Sequence, residues 1–131
     1  MNLKIKKIRK YQDSNGSLIP FYIDKSLNNF KIKRFFFVYG KINKKRGFHA
    51  HKKCNQIYIP ILGNIFVSII SKKNKRKKIL LNKDKKKILF VPKMHWTEIS
   101  FNSNKNILLV LCDYKYDRKE YIENKKVFLN S

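Results

Sequence analysis

A chain of 131 residues, 43% hydrophobic and 14% aromatic, carries enough apolar surface for one folded core and is not a disordered polar tail. No apolar run approaches the roughly 18 residues of a membrane-spanning helix. The N-terminal MNLKIKKIRKYQ lacks the apolar stretch of a secretory signal, so the expectation is one domain over residues 1–131, cytoplasmic and without a membrane partner. Lys and Arg outnumber Asp and Glu by 32 to 8, a net charge of +24 that concentrates anions.

Along the chain, apolar residues come in short bursts with a period nearer two than 3.6. The expected strands are Leu3–Ile8, Ser17–Ile23, Lys33–Ile42, Gly47–His51, Gln56–Leu62, Ile65–Ile70, Lys78–Leu81, Ile88–Val91, Trp96–Phe101 and Ile107–Cys112. Turn signals separate them at Asn15-Gly16, Gly63-Asn64, Lys72–Arg76, Asn82–Asp84 and Asn102–Asn106, and Gly63-Asn64 reads as a tight hairpin. The lysine runs Lys75–Lys78 and Lys83–Lys87 fall where hairpin tips are expected, as solvated edges. Only the tail, Asp117 to Phe128, reads as a helix, with Asp117 as N-cap and Glu120 three residues on. Many short strands without βαβ alternation argue an all-β, antiparallel sandwich or barrel with a short C-terminal helix. Cys54 and Cys112 make no disulfide framework and are expected as reduced thiols.

The segment Arg46-Gly47-Phe48-His49-Ala50-His51-Lys52-Lys53 carries the chemistry. Residues two apart on a strand face the same side, so His49 and His51 project together, with Lys53 further along. Such a pair inside a small barrel fits a metal site, an acid/base pair or core packing. Arginine occupies only five of the 32 cationic positions (Arg9, Arg34, Arg46, Arg76, Arg118), which weakens a nucleic-acid reading of the charge, since arginine is the side chain suited to bidentate phosphate and guanine contacts.

The spacing of His49, His51, Gln56 and Gly63 resembles the first cupin motif, with glutamine where the acid is expected. The second motif would begin at Pro92 and end on a histidine at position 97, which here is Thr97. A neutral amide and a hydroxyl are poor substitutes for a carboxylate and an imidazole around a divalent ion. His95 lies two residues before Thr97, on the same parity.

The collinear segments KRFFFVYG (Lys33–Gly40), RGFHAHKK (Arg46–Lys53), Gln56 before IYIPILG, VPKMHWTEI (Val91–Ile99) and LLVLCDYKYDRKEYI (Leu108–Ile122) together resemble the nucleotide-sugar 3,4-ketoisomerases acting on dTDP-4-keto-6-deoxyglucose. The resemblance implies a cupin jelly roll and a dTDP-linked keto-deoxysugar substrate, in biosynthesis of a deoxy-aminosugar for a surface glycan. It implies no cofactor and no metal. It also implies a homodimer, with exchange of N-terminal strands as one form, Lys4–Tyr11 then lining the partner's pocket. His49 and His51 become the acid/base pair, with His51 the carbon base, and Tyr39 a phenol donor if the Phe35, Phe37, Tyr39 face points inward. Arg46, Lys53, Gln56, Trp96 and Arg34 become substrate-binding residues: Arg46 as a clamp on diphosphate or enediolate, Gln56 as a partner of a histidine or the sugar. Trp96 either stacks on thymine or fills the core. Two rivals stay open: a basic β-barrel holding single-stranded nucleic acid on aromatics interleaved with lysine, and a metal-dependent cupin enzyme.

Overall fold

A computed structural model describes residues 2–82, 84 and 87–131; Lys83, Lys85 and Lys86 of the second lysine run, expected at a turn, lie outside the described residues. In chain order the strands are β1 (Lys4–Lys7), β2 (Tyr11–Asp13), β3 (Gly16–Leu18), β4 (Arg34–Gly40), β5 (Lys45–His51), β6 (Gln56–Leu62), β7 (Ile65–Ile70), β8 (Arg76–Leu81), β9 (Lys87–Val91), β10 (Trp96–Phe101), β11 (Asn106–Cys112) and β12 (Tyr121–Ile122), followed by helix α1 (Lys125–Leu129). They form two five-stranded antiparallel sheets, ordered β1-β9-β6-β11-β4 and β12-β5-β10-β7-β8, beside a small β2-β3 hairpin. This is the antiparallel jelly roll that the period-two pattern and the short spacing lead one to expect.

Alternation within each strand places the core. Arg34, Phe36 and Val38 on β4 pair in register with Cys112, Val110 and Leu108 on β11. Cys112, Val110 and Leu108 join Tyr58, Ile65, Val67, Leu89, Val91, Ile99 and Phe101 in the cluster between the sheets. The opposite faces are covered separately. Ile57, Ile59, Ile88, Phe90 and Leu111 lie under Leu27, Phe30 and the apolar residues of the N-terminal segment. Ala50, Ile70, Trp96 and Ile122 pack against Phe128 of α1. Edge strand β8 carries exposed Arg76, Lys77 and Lys78, charges that discourage edge-to-edge pairing.

Three expectations are corrected. The strand expected over Ser17–Ile23 ends at Leu18, the last residue of β3. Gly63-Asn64 joins strands of different sheets, β6 and β7, so it turns a corner of the barrel and closes no hairpin. The tail is not one helix. Asp117 does cap, accepting from the amide of Lys119, but what it caps is a single 3-10 turn, Arg118–Glu120. Tyr121 and Ile122 then run extended against His51 and Ala50, and the helix begins only after Asn124, whose side chain accepts from the amide of Val127. Strand pairing wins locally because alternation lets Tyr121 face the barrel interior while Ile122 faces the apolar layer under α1.

Gly40 on β4 faces Phe101 of the other sheet with no room for a side chain. A Cβ built there would sit 2.2 Å from Cγ of Phe101, itself buried in the core. Gly40→Ala is therefore expected to lower stability by about 1–3 kcal/mol, as overpacking does, measurable as a drop in the urea midpoint; an unchanged midpoint would show that Phe101 is free to move.

Candidate active site

The two histidines owe their shared orientation to strand alternation and a bulge. The register of β5 against β10 slips between Thr97 opposite His49 and Glu98 opposite Gly47, leaving Phe48 as the extra residue. Gly47 (φ +93°) and Phe48 (φ +59°) both adopt left-handed backbone there, and a side chain on Gly47 would meet the Thr97 carbonyl oxygen at 2.9 Å. Beyond the bulge His49 and His51 point to the inter-sheet side, with ring centroids 4.9 Å apart at 84°. Ala50 between them faces the layer under α1.

Each ring is fixed by its Nδ1. His49 Nδ1 lies 3.1 Å from the Gly47 carbonyl oxygen, and His51 Nδ1 bonds Oε2 of Glu120. Both partners only accept, so both Nδ1 atoms carry the proton and both Nε2 atoms are left as bases. Glu120 is 2% exposed, and its other oxygen accepts from the amides of Lys53 and Cys54, each at 3.1 Å. The loop after β5 and the 3-10 turn thus close around a buried carboxylate that His51 completes. Tyr121 lies over both imidazoles, 4.4 Å from His51 and 5.2 Å from His49 between centroids.

Burial pushes the His51 pKa below 6.5, the Arg34 charge adding to that effect while Glu120 opposes it. Burial, then the neighbouring His51, does the same to His49. Both rings are thereby held neutral at cell pH. Burial raises the Tyr121 phenol, against the pull of its hydrogen bond to Arg34. The Arg34 guanidinium reaches this spot from the other sheet, lying 5.5 Å from the ring centroids of both Phe36 and Tyr116. Among the described residues, three buried side-chain polar atoms have no hydrogen-bond partner: Nε2 of His51, and Nε and Nη2 of Arg34. Unpaired buried polar groups are costly, and three at one place mark a position for a polar ligand.

The family model described as "FdtA: WxcM-like, C-terminal" matches residues 1–131. The TDP-4-oxo-6-deoxy-alpha-D-glucose-3,4-oxoisomerase of Aneurinibacillus thermoaerophilus is 32% identical over 123 residues, 93% of this chain and 86% of that protein. The chain belongs to the nucleotide-sugar 3,4-ketoisomerase family, a family of isomerases. Among solved structures, the sugar 3,4-ketoisomerase QdtA of Thermoanaerobacterium thermosaccharolyticum, in complex with TDP, superposes with a TM-score of 0.87 at 28% identity, covering 98% of this chain and 93% of that one. The TDP-quinovose 3,4-ketoisomerase WlaRB of Campylobacter jejuni also gives 0.87, at 34% identity, covering 99% and 98%.

Within this ketoisomerase fold, the residues singled out from sequence fare differently. His49, His51 and Arg34 are brought together. Tyr39 is not: it is 72% exposed, because the inward parity of β4 belongs to Arg34, Phe36 and Val38. Trp96 is buried on the opposite side of β10 from Thr97, packed on Phe128 with its indole N–H donating to Glu98 at 2.9 Å, so it fills the core under α1 and does not stack on a base. Lys53 contributes its backbone amide to Glu120, while its ammonium lies over the Tyr114 ring. Arg46 pairs in register with Ile99, which puts it on the imidazole side but exposed, beyond the bulge and away from His51. The Gln56 side chain donates to Cys112 Sγ at 3.4 Å and accepts from the Tyr58 hydroxyl at 3.2 Å, so its partners are not the histidines. Of the four cupin metal positions, only His49 and His51 are strong ligands, and His95 is drawn off toward the Lys93 carbonyl oxygen. Among the described residues no three His, Cys, Asp or Glu side chains converge, so these residues do not fit a divalent ion and no step is routed through one.

Glu120 and Tyr121 are the site residues that sequence reasoning missed. Glu120 was absorbed into a helix-capping pattern; its one distinguishing sign was being among only eight acids in a strongly basic chain.

Because the Glu120 carboxylate favours the charged imidazole, Glu120→Gln should move the His51 pKa further down. An NMR titration of the His51 ring protons reads this directly; an unmoved or raised value would show that the pair does not set the ring's basicity.

Proposed function

We propose that the chain converts dTDP-4-keto-6-deoxyglucose to its 3-keto isomer through an enediol(ate), with His51 as the carbon base. The observation that supports this most is the unpartnered, buried Nε2 of a neutral His51 whose other nitrogen is anchored on Glu120. His51 Nε2 takes the C3 proton; the C–H electron pair forms the C3–C4 double bond, and the ketone oxygen O4 becomes anionic. His49, with its own Nε2 free, moves the hydroxyl proton from O3 to O4. The O3 anion then re-forms a carbonyl at C3, and the double-bond electrons take the proton from His51 at C4. Each atom and charge is restored, and Glu120 stabilises the transient imidazolium. Lys33 and Lys115 line a cleft that opens beside Arg34 and supply positive charge for the diphosphate. In the cytoplasm such a product suits transamination toward a deoxy-aminosugar for a surface glycan.

The same reading includes a homodimer. Phe35, Phe37 and Tyr39 form an outward aromatic stripe on edge strand β4, and every residue of the β2 and β3 strands is exposed, leaving two surfaces for a second copy. Exchange of N-terminal strands between the two copies, with Lys4–Tyr11 lining the partner's pocket, belongs to the same reading.

NMR of the sugar ring during incubation with dTDP-4-keto-6-deoxyglucose tests the activity. The 3-keto product should appear with wild-type protein and fall by about 10²–10⁴-fold with His51→Asn, which retains an amide able to donate to Glu120. Since the base must be neutral and its pKa lies below 6.5, the acid limb of kcat/KM should fall below pH 6.5. Absence of turnover, or full activity in His51→Asn, contradicts the proposal.

A further inference from the structure

The two orphaned atoms of Arg34, Nε and Nη2, are adjacent and make one edge of the planar guanidinium. The Phe36 and Tyr116 rings lie near the group, each centroid 5.5 Å from Cζ, and the Tyr121 hydroxyl bonds it. The Tyr121 ring also packs against His51, tilted by 60°, so the contact that holds the guanidinium holds it next to that imidazole. What is left is an adjacent pair of N–H donors without a hydrogen-bond partner, next to the weakly accepting Cys112 thiol and on the same side as the free Nε2 of His51.

From this geometry we infer that Arg34 holds the reaction's charged intermediate, its Nε–H and Nη2–H donating together to O3 and O4 of the enediolate. The inference rests on the ketoisomerase reading above and adds which side chain carries the developing charge, and how. In a six-membered ring C2 and C5 are both ring atoms, so O3 and O4 on a C3–C4 double bond lie on the same side and in one plane. Two such oxygens present the arrangement that a guanidinium fork meets in a carboxylate. The substrate does not offer it: O4 lies in the ketone plane, but C3 is tetrahedral and its hydroxyl stands out of that plane. One hydrogen bond is therefore made in the ground state and the second gains its geometry only as C3 flattens, which is the differential binding that lowers a barrier. The fork is also indifferent to which oxygen bears the charge, as required while the proton passes from O3 to O4.

Arg34→Lys keeps the charge and removes the fork. With wild-type protein converting the keto sugar, this variant should retain its thermal midpoint and bind TDP within about threefold of wild type, while kcat falls about 10²–10³-fold, the loss typical of one preorganised donor. In Arg34→Ala, millimolar methylguanidinium should restore part of kcat, and methylammonium at equal ionic strength should not. Near wild-type kcat in Arg34→Lys, a loss confined to TDP affinity, or equal rescue by both cations overturns the assignment of Arg34 alone. Wild-type protein without turnover of the keto sugar overturns it together with the reading on which it rests.

Discussion

The site is organised around one buried hydrogen bond, from Nδ1 of neutral His51 to the Glu120 carboxylate. A carboxylate 2% exposed is tolerated in a protein interior only when its oxygens are fully bonded. Here the donors are the amides of Lys53 and Cys54 and the imidazole of His51. Satisfying Glu120 forces the loop after β5 to curl back and the tail to return along β5, which in turn pairs Tyr121 with His51 and sets Ile122 against the layer that α1 covers. Removing the imidazole leaves the buried carboxylate one donor short, a loss of about 1–3 kcal/mol; an amide in place of either group keeps the hydrogen bonding and separates chemistry from folding.

The same pair explains how little equipment the chemistry needs. Burial keeps His51 unprotonated, the carboxylate keeps its tautomer and aims its free nitrogen, and Tyr121 packs at an angle against both rings and binds the guanidinium that approaches from the opposite sheet. Two imidazoles and a guanidinium are assembled where edge strand β4 of one sheet meets β5 and β12 of the other. The cupin metal positions have lost their anionic ligand, whereas the outward aromatic stripe on β4 remains a surface in need of an occupant.

Much of this was legible in the residues because β-strand parity is a strict rule. Gln56–Leu62, Ile65–Ile70 and Trp96–Phe101 fall where alternation sets them, and His49 with His51 share a face for the same reason. Parity says which residues go together but not which side is inward. On β4 a role for Tyr39 depends on the Phe35, Phe37, Tyr39 face pointing inward, and the structure instead turns half-buried Arg34, Phe36 and Val38 toward the core. Trp96 was ambiguous for a related cause: its two neighbouring layers are both apolar. Glu120 escaped because its role depends on a contact with His51, 69 residues away in the chain, and a local capping pattern explained it adequately. The tail's helix was misjudged because strand pairing with β5 is a tertiary interaction that no local periodicity reports.

The central claim is that a single shielded imidazole carries the carbon-bound hydrogen from C3 to C4. His51 is 5% exposed, so its proton should exchange slowly with solvent during one turnover. With substrate deuterated at C3 and turnover run in ordinary water, NMR of the product formed at early times should show deuterium at C4. Complete loss of the label to solvent, with only hydrogen at C4, would mean that separate groups remove and deliver the proton, and would contradict the account.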